Sequence, residues 1–374
     1  MTSSRQHLIS FILLVILVAL ASCAKAPAEY KETRYIFGTL VEFIIRGVDE
    51  GVAKQAVADI DRDFQHMHKD WHAWKAGGEL VALNAALAHG ESRHVSPFVL
   101  PLLKEGRDLE AKSGGLFNPA IGGLIEIWGF HSDELPTGKL PDFDKIHALA
   151  ARHPSMADLK IEDDLVSSTN PTVQFDFGGF AKGVALDMAV AKLKSLGINN
   201  AIVNAGGDLN TLGQAGERLW NVGIRDPRDW GVIASVQLMG GENLYTSGNY
   251  ERFRESEGIR YAHIIDPRTG MPVEHTVSAS VIHTDGALAD AAATALIVAG
   301  PEHWVEVAKA MGVRDVMLVD KQGTVYASPE MLARVVFDTD KKLTIVKSAP
   351  LSQQASHTVV QLSDSRQGQM PARH

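Results

Sequence analysis

A glycine turn in the middle of the chain, between two patterned segments, limits the possible folds more than any other stretch. Residues 172–177 alternate polar and apolar side chains as a half-buried strand does, and residues 181–196 carry apolar side chains at helical spacing. Gly178 and Gly179 lie between them, so we predict a strand that enters a helix through a tight turn. The free N–H groups at the start of such a helix favour a phosphate group. The alternative is a corner whose glycines only relieve backbone strain.

Asp176 precedes this turn, and a carboxylate beside a phosphate needs either a cation between them or a hydroxyl to share, so metal ligands are sought elsewhere in the chain. The 374 residues are 45% hydrophobic and 22% charged, which fits one large globular domain of two joined lobes. Strands and helices follow one another, so we predict an α+β fold in which mixed sheets pack against helices. The net charge of -9 and the lack of a basic run give no attraction to nucleic acid.

The N-terminal residues resemble a bacterial lipoprotein signal. An apolar run at residues 8–20 is of signal-peptide length, and it ends in small residues followed by Cys23. We therefore expect a signal peptide at residues 1–22, lipidation of Cys23 and a tether at residues 23–30. The alternatives are a plain signal peptide and an uncleaved anchor. Cys23 is the only cysteine, which excludes an internal disulfide and a cysteine nucleophile or metal site in the body.

The body is expected to span residues 31–345, and a polar tail at residues 346–374 is predicted to be disordered. The patterns predict helices over residues 52–68, 79–87, 97–112, 142–153, 289–298 and 304–311. They predict a strand over residues 35–45 with a break at Gly38 near its start. Further strands are predicted over residues 200–203, 220–224, 235–238, 243–247, 260–265, 278–283, 316–318 and 324–326, the last two as a hairpin. Residues 116–130 are interpreted as a ligand wall or a buried loop, and residues 133–160 as an excursion that could act as a lid.

Asp290 and Thr294 are the first candidates for metal ligands. They are four residues apart in a predicted helix, so a carboxylate and a hydroxyl would project together as hard oxygen ligands suited to Mg²⁺. The alternative is an aspartate that stabilises the helix dipole. His68 and His72 are also four apart, but no acidic partner accompanies them and a solvated face is favoured. His263 is the candidate general base, because an imidazole suits proton removal near neutral pH.

Seven motifs in one order resemble the ApbE family of FAD:protein FMN transferases, which are often periplasmic lipoproteins. The resemblance covers residues 35–336 and is therefore more specific than any single motif. The motifs are Phe37-Gly38-Thr39, Ser113-Gly114-Gly115-Leu116-Phe117-Asn118-Pro119, Asp176-Phe177-Gly178-Gly179-Phe180-Ala181-Lys182-Gly183, Asn204-Ala205-Gly206-Gly207-Asp208, Thr246-Ser247-Gly248, His263-Ile264-Ile265-Asp266-Pro267-Arg268-Thr269-Gly270 and Ala289-Asp290-Ala291-Ala292-Ala293-Thr294.

The resemblance implies a role for each matching position. Asp290 and Thr294 would bind Mg²⁺ with their side chains and Gly179 with its carbonyl group, while His263 would be the catalytic base. Contacts to FAD would come from Phe37, Trp74, Leu116, Phe117, Asn118, Asp176, Lys182, His263 and Ile264. Two positions depart from the family pattern, since Asn118 stands where the family usually has Asp and Phe37 where it usually has Met. The amide keeps an acceptor and removes a charge, so we expect altered FAD affinity with the chemistry retained.

The implied reaction cleaves FAD, joins FMN to a threonine or serine hydroxyl of an acceptor protein through a phosphoester, and releases AMP. The resemblance further implies acceptors among membrane-bound redox subunits, such as those of sodium-pumping NADH:quinone oxidoreductase. A lipid anchor would hold the enzyme on the bacterial inner membrane, facing the periplasm. Two alternatives stay open, an FAD pyrophosphatase that uses water as the acceptor and a non-enzymatic FAD-binding lipoprotein.

Overall fold

The computed structural model describes residues 29–132 and 134–351. The predicted signal peptide, the lipidation site at Cys23 and the tail from residue 352 lie outside the described residues. Within the described part of the chain, no helix is both long and apolar enough to cross a membrane. The last two residues of the predicted tether, Glu29 and Tyr30, instead begin the first strand.

Seventeen strands and eight α-helices form the described structure. The strands are β1 Glu29–Ile36, β2 Thr39–Arg46, β3 Arg93–His94, β4 Leu159–Glu162, β5 Leu165–Ser168, β6 Asn200–Ala205, β7 Asp208–Leu212, β8 Trp220–Arg225, β9 Val232–Leu238, β10 Asn243–Gly248, β11 Phe253–Ser256, β12 Ile259–Ala262, β13 Thr276–His283, β14 Asp315–Asp320, β15 Thr324–Ala327, β16 Val335–Phe337 and β17 Thr344–Lys347. The helices are α1 Glu50–Trp71, α2 Glu79–Ala88, α3 Leu100–Lys112, α4 Gly122–Trp128, α5 Phe143–Ala150, α6 Ala181–Ser195, α7 Gly286–Met311 and α8 Pro329–Leu332.

A nine-stranded sheet organises the molecule, with strand order β1-β2-β6-β7-β10-β13-β14-β15-β17. Neighbouring strands are antiparallel, except that β17 runs parallel to β15. Smaller sheets are formed by β16-β9-β8, by β3-β5-β4 and by the β11-β12 hairpin. The architecture therefore has mixed sheets and packed helices, and the predicted α+β class is confirmed.

The two faces of the large sheet enter different cores, as the period of two along a strand requires. On β14, Val316 and Leu318 pack in the core that contains α1, α6 and α7. Met317 and Val319 point the other way and join the core formed with β8, β9 and β16. The sheet thus lies between a helical layer and a small sheet, and the helical layer carries the candidate site.

Several predicted boundaries changed for identifiable reasons. The strand predicted at residues 35–45 is two strands, because Phe37 and Gly38 both have positive φ, 55° and 73°, and form a two-residue hairpin turn. The two helices predicted at residues 289–298 and 304–311 belong to α7, which is interrupted at Gly300 with φ 72° and ψ 179°. The hairpin predicted at residues 316–326 is present as β14 and β15.

Residues 172–177 are extended but do not form a strand. Val173, Phe175 and Phe177 are buried, so the predicted alternation is present. On one side the main chain pairs with residues 119–122, since Gln174 bridges Ile121 and the Asp176 N–H donates to the Pro119 carbonyl oxygen at 2.9 Å. On the other side the partner is a side chain: the amide of Asn84 donates to the Phe175 carbonyl oxygen at 3.0 Å and accepts from the Phe175 N–H at 2.8 Å. The Asn84 amide therefore takes the place of a second neighbouring strand at Phe175.

The region between residues 116 and 160 contains more helix than predicted. Residues 122–128 form α4, and the helix predicted at residues 142–153 is the shorter α5. At the other end, β17 extends to Lys347 and Leu351 is 4% exposed, so the predicted tail from residue 346 begins with ordered residues.

Candidate functional site

A cavity of about 1030 Å³ opens beside the start of α6. Its wall combines the β1–β2 turn, the end of α1, the segment before α4, the start of α6, the end of β10 and one face of α7. Every described residue that the sequence assigned to the site lines this cavity: Phe37, Trp74, Leu116, Phe117, Asn118, Asp176, Gly179, Lys182, His263, Ile264, Asp290 and Thr294. The cavity gathers residues that are more than 250 positions apart in the chain, although their individual roles stay predictions.

Asp176 links the glycine turn to Trp74. One carboxylate oxygen, Oδ1, accepts the N–H of Gly178 at 2.7 Å, which closes the turn before α6. The other, Oδ2, accepts the indole N–H of Trp74 at 2.8 Å. A Cβ on Gly178 would lie 2.9 Å from Oδ1, so a side chain there would disturb this arrangement. Asp176 therefore orients an aromatic side chain at the cavity wall.

The start of α6 is less free to bind a phosphate than the sequence predicted. The N–H of Gly183 donates to Oδ2 of Asp290 at 3.1 Å, so this helix N–H is already used. A Cβ on Gly183 would lie 2.3 Å from the carbonyl oxygen of Gly286, within α7. This glycine thus permits the close contact between α6 and α7.

Asp290, Thr294 and Gly179 converge at this helix contact. Thr294 follows Asp290 by one helical turn, and its hydroxyl lies 3.1 Å from the Ser247 hydroxyl. A Cβ on Gly179 would lie 3.7 Å from Thr294 Oγ1, so the Gly179 backbone is adjacent to that hydroxyl. Burial, the largest influence, raises the pKa of Asp290 to about 7 against the opposing charge of Lys182.

These donors fit a hard divalent cation. A carboxylate, a hydroxyl and a main-chain carbonyl are the oxygen ligands that Mg²⁺ accepts, with substrate oxygens completing the shell. A bound cation would also favour the charged form of the buried Asp290. Among the described residues, no group of three or more His, Cys, Asp or Glu side chains could hold a metal ion. Any metal bound at this position would therefore depend on the single carboxylate and on neutral oxygens.

Lys182 forms an ion pair that the sequence did not predict. Its ammonium group contacts Oδ2 of Asp208, and Oδ1 of Asp208 accepts the Thr246 N–H at 2.9 Å. Burial lowers the pKa of Lys182, but the negative charges of Asp208 and Asp290 outweigh it and the pKa is raised. Lys182 therefore keeps its positive charge inside the cavity wall.

His263 directly follows β12, whereas the predicted strand continued to residue 265. Its ring nitrogen Nδ1 lies 3.1 Å from the carbonyl oxygen of Arg252. Since a carbonyl only accepts, Nδ1 carries the hydrogen and Nε2 keeps its lone pair. Burial lowers the pKa of His263 to about 4, so the ring is neutral at physiological pH. A neutral imidazole with a free nitrogen can accept a proton.

Asn118 has a structural reason to be an amide. Its Nδ2 donates to the Pro154 carbonyl oxygen at 2.8 Å, and its Oδ1 accepts the Ala120 N–H at 2.8 Å. A carboxylate could make only the second bond. Phe37, the other departure from the family pattern, packs its ring 5.1 Å from that of Phe64. Both departures are therefore accommodated by neighbouring groups of this chain.

Sequence reasoning missed other residues of the wall. Arg225, Tyr250 and Arg252 line the cavity, and the Arg225 guanidinium lies 4.8 Å from the centre of the Tyr250 ring. The available signal was position, since Tyr250 and Arg252 closely follow the motif that ends at Gly248. His68 and His72 also lie at the wall and are half-buried.

Comparison with known proteins agrees with this geometry. Residues 37–318 match the profile of the ApbE family. The chain belongs to the ApbE family. An FAD:protein FMN transferase of Rhodobacter capsulatus is 51% identical over 311 residues, which cover 83% of this chain and 59% of that protein. An FAD:protein FMN transferase of Treponema pallidum is 30% identical over 348 residues, covering 87% and 94% of the two chains.

The fold of this ApbE protein also matches a solved structure. The ApbE protein of Thermotoga maritima superposes with a TM-score of 0.75 at 28% identity, covering 82% of this chain and 99% of that one. The resemblance inferred from the seven motifs is therefore confirmed. The chain spans 59% of the length of the Rhodobacter capsulatus relative, so the comparison with that protein concerns a part of it.

Proposed function

We propose that this ApbE protein is an FAD:protein FMN transferase, which cleaves FAD, joins FMN to an acceptor hydroxyl and releases AMP. One observation supports this function above the others: a neutral imidazole and a paired carboxylate and hydroxyl line the same cavity. His263 supplies the first, and Asp290 with Thr294 supplies the second. The shared name of the relatives agrees with this chemistry.

The cavity wall provides the charges that phosphoryl transfer needs. Asp290, Thr294 and the Gly179 carbonyl would hold Mg²⁺, which supplies charge neutralisation at a pyrophosphate when bound. Lys182 adds a permanent positive charge, since the Asp208 carboxylate keeps it protonated. In such transfers most of the rate comes from positioning and electrostatic stabilisation.

His263 performs the proton transfer. Its Nε2 accepts the proton of the acceptor threonine or serine hydroxyl, and the hydroxyl oxygen attacks the phosphorus of the FMN half of FAD. The bond between that phosphorus and the bridging oxygen breaks, and AMP leaves with the electron pair. The product is a phosphoester between FMN and the acceptor side chain, so water must be excluded if transfer is to outcompete hydrolysis.

The cellular setting is part of the same proposal. Cys23 carries a lipid that anchors the protein to the inner membrane, with the cavity facing the periplasm and acceptors among membrane redox subunits. Support comes from the N-terminal sequence, in which small residues and Cys23 follow an apolar run. Cys23→Ser should move the protein from membrane to soluble fractions, as measured by fractionation and immunoblotting. Persistent membrane attachment would show that the apolar segment itself is the anchor.

A direct assay tests the activity. The protein is incubated with FAD, Mg²⁺ and an acceptor domain that presents a threonine, and the acceptor is weighed by intact mass spectrometry. The proposal predicts a gain of one FMN residue together with released AMP. Free FMN and AMP with an unmodified acceptor would favour the pyrophosphatase, and intact FAD would favour a binding protein. An acceptor with alanine in place of that threonine is the matched control.

A further inference from the structure

Arg252 and His263 face each other across the open end of the β11–β12 hairpin. Phe253 pairs with Ala262 in that hairpin, so Arg252 and His263 occupy the next position outward. The N–H of His263 donates to the Arg252 carbonyl oxygen at 3.1 Å. The ring nitrogen Nδ1 lies 3.1 Å from the same oxygen. The main chain of Arg252 thus fixes both the backbone and one ring nitrogen of His263.

The side chain of Arg252 binds the segment whose Phe130 ring contacts the same imidazole. Its Nη2 donates to the Phe130 carbonyl oxygen at 3.4 Å and also contacts the Ser132 carbonyl oxygen. The Phe130 ring meets the His263 ring edge-on, with centroids 6.2 Å apart and planes at 74°. Arg252 therefore contacts His263 through its own carbonyl oxygen, and its side chain binds Phe130, whose ring contacts His263.

Arg254 fastens the segment that carries Phe130. It lies two residues beyond Arg252, in β11, and is 7% exposed. Its Nη1 donates to the Trp128 carbonyl oxygen at 3.0 Å, and its Nη2 donates to the Thr137 carbonyl oxygen at 3.0 Å. The cavity wall around Phe130 is therefore attached to the hairpin that presents His263.

We propose that Arg252 is a positioning residue for His263. Its guanidinium holds Phe130 against the imidazole, and this contact keeps the ring at the Arg252 carbonyl with the hydrogen on Nδ1 and the lone pair on Nε2. The two ring nitrogens of a neutral histidine are distinct, and the hydrogen bond made by one of them decides which nitrogen carries the proton. This inference rests on the proposed function, since that function makes His263 the base.

The first test reads the imidazole itself and needs no transfer activity. Full-length protein with ¹⁵N-labelled histidines is compared by NMR at pH 7 with Arg252→Met, and the His263 signal is assigned by its loss in His263→Asn. We expect the Nδ1–H tautomer alone in the original protein and a mixture of tautomers in Arg252→Met. Arg260→Met is the matched control, because Arg260 lies in the same hairpin and its side chain is 68% exposed. An unchanged tautomer in a folded Arg252→Met protein would overturn the proposal.

The second test separates positioning from ligand binding. We expect kcat for FMN transfer to fall about 10- to 100-fold in Arg252→Met, because small displacements of a catalytic group cost that much, while KM for FAD stays unchanged. Arg252→Lys should recover part of kcat, since an ammonium group can still donate to one carbonyl. A raised KM with unchanged kcat would instead make Arg252 a direct FAD ligand and would overturn the inference. Failure of the original protein to transfer FMN would refute the proposed function. The tautomer measurement would then decide whether Arg252 positions His263.

Discussion

Gly183→Ala tests the contact between α6 and α7 on which the site depends. The added methyl group would lie 2.3 Å from the Gly286 carbonyl oxygen and 2.7 Å from the Ala287 Cα. Ordinary contacts between heavy atoms lie near 3.5–4.0 Å, so the helices must separate by about 1 Å. Both contacted atoms belong to the backbone, and no rotation of a side chain can relieve the clash.

The expected loss of stability follows from three contributions. Overpacking of a rigid contact costs about 3 kcal/mol at the upper end of its usual range. Weakening the hydrogen bond from the Gly183 N–H to Asp290 adds about 1 kcal/mol. The higher helix propensity of alanine returns about 1 kcal/mol. We therefore expect the free energy of unfolding to fall by about 3 kcal/mol, with a further loss of activity because Asp290 moves relative to Gly179.

Urea unfolding followed by circular dichroism measures this change, and the transfer assay measures the activity. Gly51→Ala is the matched control, because it also lies in a helix, α1, and an added Cβ there meets nothing within 4 Å. The control should be as stable as the original protein or more stable by up to about 1 kcal/mol. A Gly183→Ala protein that unfolds at the original urea concentration and transfers FMN at the original rate would refute this account of the helix contact.

Three further changes probe single groups. Asp290→Asn should lower Mg²⁺-dependent transfer by about 100-fold or more, because the only carboxylate of the candidate metal ligands is lost. Activity retained across a Mg²⁺ titration would show that Asp290 is not a metal ligand. Trp74→Phe should weaken FAD binding about 2- to 10-fold, since the bond to Asp176 is lost, and quenching of flavin fluorescence measures this affinity. The pKa of His263 is lower in the folded than in the unfolded chain. As the pH falls, the imidazole of the unfolded chain is therefore protonated first, and the free energy of unfolding decreases from about pH 6.5 towards pH 4. His263→Gln should show a smaller fall in melting temperature over that range, and parallel curves would refute the assigned shift.

Local sequence patterns predict which side chains of a segment are buried, but they do not predict a partner that is distant in the chain. Alternation at residues 172–177 correctly predicted the buried faces of Val173 and Phe175. It could not predict that the side chain of Asn84 binds the main chain of Phe175, because that contact joins residues 91 positions apart. Likewise, glycine at position 38 indicated a break in the chain, but the positive φ of Phe37 that completes the turn has no signal in its residue type.

The same limit applies to the site. Motif positions predicted His263 and Asp290 as wall residues, and the cavity contains both. Arg252 and Arg254 were missed because they bind main-chain carbonyl groups, such as that of Phe130, which exist at every residue and leave no pattern in the sequence. Asp208 belongs to one of the seven motifs, but only the fold shows that it pairs with Lys182.

The two basic side chains of the cavity show why such partners matter for function. Burial disfavours the charged form of both Lys182 and His263. Lys182 stays charged because the carboxylate of Asp208 contacts it, whereas His263 has a neutral carbonyl oxygen as its hydrogen-bond partner and becomes neutral. At one pH the cavity therefore holds a permanent cation, suited to phosphate oxygens, and a neutral base, suited to a hydroxyl proton. The residue types alone do not determine these charge states, because the partners of Lys182 and His263 are brought to them by the fold.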